Sequence, residues 1–228
     1  MTAPVSLYFW HLTDAAEAAR LSPLLSPEEA ARADRYVKPA DGIAYRIGRG
    51  HLRQVLAQWV GGDAASLAFR LGPSGKPALE RGPQFNLSHS GGLACLAVHP
   101  DAVLGVDIEA PRPVEEGVAR RFFSASEYAG LSALPQAEWL PAFFRIWTRK
   151  EAVLKAVGTG LTDRLDGFDV TLGADAAVTR MDTGHTRHWA LRHLLVGRRW
   201  VGALAVPDPV GPVEIAVRAA PGDVCVTL

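Results

Sequence analysis

The helical pattern from about Glu138 to Val157 constrains this chain more than any other stretch, because its apolar stripe breaks where it should continue. Steps of three and four place Leu140, Phe143, Phe144 and Trp147 on one face, the periodicity of a helix packed on a core. The stripe should stay apolar at 151, 154 and 158, yet position 151 is Glu and Lys155 follows one turn later. Trp147, Glu151 and Lys155 therefore share roughly one face. Either the pair lies at the surface, where it is worth about 0.3–0.5 kcal/mol, or the helix buries a carboxylate. A buried charge demands a cation or a hydrogen-bonded partner.

A second acidic element sits upstream, in "LGVDIEAP", Leu104 to Pro111. Read as a strand, it sends Leu104, Val106 and Ile108 to one face and Asp107 and Glu109 to the other. Neighbouring carboxylates raise each other's pKa unless something positive lies close. A half-exposed strand with a wet polar face is one solution, and a hard divalent cation is the other. Three carboxylates from a strand and a helix, with room left for substrate and water, suit a six-coordinate magnesium ion.

A length of 228 residues allows one large domain or two modest halves packed together, and 48% hydrophobic residues supply a core. Lysine plus arginine equals aspartate plus glutamate at 24 each, which argues against a partner such as duplex nucleic acid or a membrane surface. Cys95 and Cys225 form no Cys-x-x-Cys pair, so buried free thiols are expected rather than a disulfide or zinc site. The opening "MTAPVSLYFWHLTD" has no positive n-region, so no signal peptide is expected. The uncharged window Gly82 to Pro100 is too polar to span a membrane. A cytoplasmic protein is the expectation, and the glycosylation-like "NLS" at Asn86 is then a chance match.

Along the chain, Val5 to Leu12 reads as a strand and "SPEEAARADRY" as a helix start, with Ser26 as N-cap, Pro27 at the first position and Glu29 completing a capping box. A long helix is predicted from about Asp41 to Val60, closed by Gly61 and Gly62. "LAFRLG", "QFNLSHS" and "GLACLAVHP" read as strands, with "PSGKP" a turn. Ser124 and Glu127 form a second capping box, and the last third returns to strands such as "GFDVTL", "RHWALRHLLV", "RRWVGALAV" and "VEIAVRA". Each half runs strand, helices, strands, with no detectable sequence repeat. "EAPRPVEEG" marks a plausible boundary.

"FNLSHSGG", "GVDIE", "FFSASE" and "FFRIWTRKEAVLKAVGTGL" together resemble, in type, order and separation, the motifs of the Sfp-type 4′-phosphopantetheinyl transferases. The motif blocks span mainly Gly72 to Leu161, and their ordered combination is more specific than any one of them. The resemblance implies an α+β fold of two similar halves related by a pseudo-two-fold axis, residues 1–103 and 104–228, with the active site in the cleft between them. It also implies that magnesium and coenzyme A are used to attach phosphopantetheine to a serine of an apo acyl or peptidyl carrier protein of fatty-acid, polyketide or nonribosomal peptide synthesis, releasing 3′,5′-ADP. Asp107, Glu109 and Glu151 would be the metal ligands. Glu151 is favoured as the base for the serine proton and Lys155 as the neutraliser of phosphate charge. No covalent intermediate is needed, and neither Ser88, Ser90 nor Cys95 has the setting of a nucleophile.

By the same resemblance His89 contacts a coenzyme A phosphate, Ser88 offers a hydroxyl to phosphate oxygens and Lys76 lies near the nucleotide. Arg32, Arg35, Arg46, Arg49 and Arg53 stud two helices and could grip the 3′-phosphate. One departure stands out: relatives often carry Lys where this chain has Glu29, so Arg32 or Arg46 must supply that charge, and Arg53 is a further candidate. For the carrier, Arg120 and Arg121 offer charge and Phe122 or Phe123 an apolar anchor; helix end and core are the plainer reading. A monomer is expected. Two alternatives are a magnesium-dependent phosphohydrolase and a non-catalytic nucleotide-binding protein. His185, His188 and His193 lack complementary ligands for zinc.

Overall fold

Strand, helices and hairpin follow one another twice in the computed structural model, which describes residues 3–72, 75–158, 165–181, 188–207, 213–222 and 224–228. The first pass comprises β1 (Val5–His11), α1 (Ala15–Leu21), α2 (Pro27–Asp34), α3 (Pro39–Val60), β2 (Phe69–Leu71), β3 (Pro77–Leu79), β4 (Gln84–Ser90) and β5 (Leu93–His99). The second comprises β6 (Gly105–Glu109), α4 (Glu116–Phe122), α5 (Ala125–Ser132), α6 (Gln136–Val157), β7 (Phe168–Val170), β8 (Val178–Met181), β9 (Trp189–Val196) and β10 (Trp200–Pro207), followed by β11 (Ile215–Ala219) and β12 (Val226–Thr227). The main sheets have the orders β11-β1-β5-β4 and β12-β9-β10-β6.

Three buried layers hold these elements together. Trp10, Ile47, Leu52, Leu56 and Leu96 pack α3 onto one face of the first sheet. Phe143, Phe144, Val153 and Ala203 pack α6 onto the second. Between the sheets lie Leu7, Phe9, Cys95, Leu104, Val106, Ile108, Leu194 and Leu204. The even residues of β6 enter this shared core, as the alternation predicts. The division expected at 103/104 is crossed by β11, which pairs in parallel with β1, Leu7 opposite Val217. Strand alternation in "VEIAVRA" is visible in sequence, but which distant edge it joins is not. Cys95 is buried, whereas Cys225 is exposed, contrary to expectation; it lies next to the short edge strand β12, outside the core.

The long helices are both 22 residues. Each stops at a left-handed glycine, Gly61 at φ 66° and Gly158 at φ 81°, a conformation glycine adopts without a Cβ penalty. Pro39 at the head of α3 starts that helix earlier than the periodicity shows, since Pro is preorganised for the first turn and needs no N–H there.

The pseudo-two-fold axis also repeats a buried charge arrangement. Ser26 and Glu29 form a capping box on α2, and Ser124 and Glu127 form one on α5. Each glutamate then meets a cation of the following long helix. Glu29 accepts from Arg53 Nε at 2.7 Å and from Arg49, and Glu127 accepts from Lys150 Nζ at 2.8 Å. Both cations also gather carbonyls of the segment after their helix. Arg53 Nη1 donates to Ala64 O and Leu67 O at 2.9 and 3.0 Å, and Lys150 Nζ to Leu165 O at 2.7 Å and to Phe168 O. Arg53 is therefore occupied within the fold, 2% exposed, and not available to the phosphate for which sequence suggested it.

Candidate active site

β6 lies at the edge of its sheet, so one row of its backbone groups needs partners from elsewhere. β4 supplies them through side chains. Asn86 Oδ1 accepts the Val106 N–H at 2.8 Å, Ser88 Oγ the Ile108 N–H at 3.2 Å and Ser90 Oγ the Ala110 N–H at 3.1 Å. Strand alternation aims every second residue of "NLSHS" at β6. The two hydroxyls also face the acidic residues: Ser88 donates to Asp107 Oδ1 at 2.9 Å and Ser90 to Glu109 Oε2 at 2.6 Å. Ser88, expected to bind phosphate, is thus engaged with β6, and Ser90 was not recognised as a partner of Glu109. The available signal was the short oxygen-bearing side chain at 86, 88 and 90, alternating with Leu87 and His89.

On its other face β6 meets α6 at Gly105. A Cβ there would stand 2.1 Å from Ala152 O and 2.4 Å from Ala156 N, so only glycine allows this approach. Lys76, just before β3, ties the crossing by donating to Leu104 O at 2.9 Å and Lys155 O at 2.7 Å. Burial and the nearby Lys155 charge push its pKa down to about 8. Those carbonyls, rather than a nucleotide, hold the ammonium that sequence placed beside the ligand.

The crossing brings Asp107, Glu109, Glu151 and Lys155 into one neighbourhood. Lys155 Nζ donates to Asp107 Oδ1 at 2.5 Å and to Ser88 Oγ at 3.1 Å. Burial raises the Asp107 pKa, and Lys155 offsets this only in part. Glu151 is raised by burial and then by the charges of Asp107 and Glu109. Asp107 Oδ2 and Glu151 Oε1 are buried without a hydrogen-bond partner, and such oxygens call for a cation or a proton. An all-oxygen donor set fits a hard divalent ion such as magnesium. The three expected ligands are neighbours rather than a closed cage: among the described residues no group of three or more His, Cys, Asp or Glu is arranged to hold a metal. Lys155 supplies the charge beside Asp107, while Glu109 is drawn to Ser90 and to Arg112, the latter at 2.9 Å.

A cavity of about 570 Å³ is lined by residues including Arg32, Tyr36, Tyr45, Arg49, Leu87 and His89, of which His89 feels the charges of Lys155 and Glu109. His89 stays accessible, yet the protein packed around it and the Lys155 charge lower its pKa, against the pull of Glu109. Arg32 lies over the Tyr45 ring at 5.3 Å and, among the described residues, forms no ion pair. Arg49 pairs with Glu29. Arg46 is not part of the lining; it pairs with Asp34 and donates to Gly42 O at 3.4 Å. Tyr36 and Tyr45, whose rings meet at 5.7 Å, went unnoticed in sequence, although Tyr45 stands one turn before Arg49 on the same helix.

Residues 10–101 match the 4'-phosphopantetheinyl transferase, N-terminal family, and residues 103–205 match the 4'-phosphopantetheinyl transferase superfamily. The 4'-phosphopantetheinyl transferase HetI of Nostoc sp. is 37% identical over 82% of this chain and 80% of its own length. The chain belongs to the 4′-phosphopantetheinyl transferase superfamily. The 4'-phosphopantetheinyl transferase Sfp of Bacillus subtilis is 32% identical to this transferase over 72% of its chain and 73% of the relative's. A putative 4'-phosphopantetheinyl transferase of Synechocystis sp. is 35% identical, over 74% and 71%. Membership sets aside both alternatives weighed on the residues alone, the phosphohydrolase and the non-catalytic binder.

The surface suggested for a carrier changes once this transferase is folded. Phe123 is 4% exposed and belongs to the core beneath α6, so it offers no anchor. Phe122 is half-buried, edge-on to Trp147 at 5.9 Å. Arg120 is held by Tyr128 Oη at 3.0 Å, which in turn donates to Glu116. Arg121 is exposed over the Phe122 ring at 5.3 Å. Of the three histidines, His185 lies outside the described residues, His188 is exposed and His193 is near Arg145 and Arg149.

Proposed function

We propose that this transferase moves the 4′-phosphopantetheine of coenzyme A onto a serine hydroxyl of an apo acyl or peptidyl carrier protein and releases 3′,5′-ADP, with magnesium held by Asp107, Glu109 and Glu151. One observation carries the proposal: Asp107 Oδ2 and Glu151 Oε1 are buried without donors, in the neighbourhood of the Lys155 ammonium that pairs with Asp107. Magnesium, when bound, would stabilise negative charge on the attacked phosphoryl group and on the departing oxygen.

The chain's own residues do the rest. Serine Oγ attacks the β-phosphorus, the bond to the 3′,5′-ADP oxygen breaks, and the serine proton passes to Glu151. Lys155 neutralises the pyrophosphate; among the described residues its ammonium has only Asp107 and Ser88 to leave. His89 contacts a phosphate from the cavity wall, and Arg32, assisted by Arg49, takes the 3′-phosphate in place of Arg46 and Arg53. Arg121 and Phe122 face an acidic carrier helix.

A cytoplasmic monomer is the proposed form. No helix among the described residues is long and apolar enough to cross a membrane. The test incubates the protein with magnesium, coenzyme A and apo-carriers from fatty-acid, polyketide and nonribosomal peptide synthesis, then weighs each carrier by mass spectrometry. One added phosphopantetheine with wild type, and none with Asp107→Asn or Glu151→Gln, is the expected result. Coenzyme A cleavage that proceeds equally without carrier would overturn the proposal.

A further inference from the structure

Ser90 is fixed from three directions. Its Oγ accepts the Ala110 N–H at 3.1 Å, which commits one lone pair and leaves the hydroxyl proton directed at Glu109 Oε2, 2.6 Å away. Its carbonyl accepts from Trp200 Nε1 at 2.8 Å. The turn that follows presses on the same place, since a Cβ on Gly91 would come within 2.5 Å of Ala110 Cβ. A hydroxyl this constrained dictates where its acceptor sits.

Arg112 also reaches Glu109 Oε2, at 2.9 Å, but its side chain is 62% exposed. An exposed ion pair of this kind contributes little and is screened by salt. Ser90 therefore sets the Glu109 carboxylate, and Arg112 adjusts to it. Ser88 makes the same kind of contact with Asp107 but also receives Lys155, so it cannot be separated from the catalytic groups. Among the described residues Ser90 makes no hydrogen bond to Lys155, and it is not itself a lining residue of the cavity.

We infer that Ser90 is a positioning residue: its hydroxyl, oriented by the backbone of Ala110, presents Glu109 to a divalent cation with Oε2 engaged and Oε1 left for the ion. This rests on the proposed assignment of Glu109 as a ligand. Partners that orient ligating carboxylates are worth about 10–100-fold in metal affinity.

The test titrates full-length protein with Mn²⁺ in the presence of coenzyme A and follows free Mn²⁺ by electron paramagnetic resonance, alongside the melting temperature and carrier modification in magnesium. Ser90→Ala is expected to weaken Mn²⁺ binding about tenfold, while Ser90→Thr, which keeps the hydroxyl, stays near wild type. Retained Mn²⁺ affinity in Ser90→Ala, in a protein whose wild type modifies carriers, overturns the inference alone. An equal loss in both variants also overturns it, because the hydroxyl is then not the cause. Wild-type protein that neither binds Mn²⁺ nor modifies a carrier removes the proposed function and this inference with it.

Discussion

Arg53 and Lys150 occupy equivalent places on the two long helices, and each is paired with the capping-box glutamate of the helix before, Glu29 or Glu127. The Lys150–Glu127 pair is the more deeply buried, with side chains 0% and 2% exposed. Removing one partner of such a pair leaves an uncompensated charge. Lys150→Met is expected to lower unfolding free energy by about 3–5 kcal/mol in urea. Adding Glu127→Gln should recover part of that loss, because an amide oxygen can still accept the Val170 N–H, now 2.8 Å from Glu127 Oε1.

Arg32 and Arg53 should separate ligand contact from folding. Arg32 lines the cavity and Arg53 does not. Loss of a charge-assisted hydrogen bond costs about 1.5–3 kcal/mol, so Arg32→Ala should raise the KM for coenzyme A about tenfold to a hundredfold and leave 3′-dephospho-coenzyme A unaffected. Arg53→Met should lower the melting temperature without discriminating between the two. Steady-state kinetics with both substrates and thermal unfolding provide the check.

Arg121 and Phe123 are adjacent in function only on paper. Arg121→Glu should raise the carrier KM while sparing the KM for coenzyme A, as expected for a rim charge meeting an acidic partner. Phe123→Ala should instead cost about 3–5 kcal/mol of stability, since its ring packs against Phe143 at 5.1 Å. Carrier kinetics at fixed coenzyme A, with urea unfolding, distinguish the two effects.

His193 gives the fold a dependence on acid. Burial, then Arg149 and Arg145, bring its pKa down from 6.5 to about 4. The unfolded chain then takes up the proton first as pH falls, so this group's contribution to stability is full above pH 6.5 and is lost on the way down to about pH 4. His193→Gln should flatten the stability profile across that window. Urea midpoints measured from pH 7 to pH 4 give the slope for both proteins.

Much of this was readable before any coordinates. The capping boxes at Ser26 and Ser124, the left-handed stop at Gly61 and the alternation of Leu104, Val106 and Ile108 are local signals. They fixed where helices begin and end and which face of β6 is apolar. What remained hidden depends on distant partners. Arg53 looks like any arginine one turn from Arg49 until Glu29 and the carbonyls after α3 surround it. Lys76 looks like a turn lysine until Leu104 O and Lys155 O converge on it. Phe123 beside Arg121 suggests a surface, but the helix break at Phe123 turns its ring inward.

The seam between the sheets has a built-in step size. Because Asn86, Ser88 and Ser90 point the same way and Leu87 and His89 the other, a slip of one residue between β4 and β6 would offer a leucine and an imidazole to amides that need oxygen. The strand bearing the acidic pair can therefore shift only in steps of two residues, each losing at least one of the three contacts. The placement of Asp107 and Glu109 is thereby inherited from a discrete choice of register.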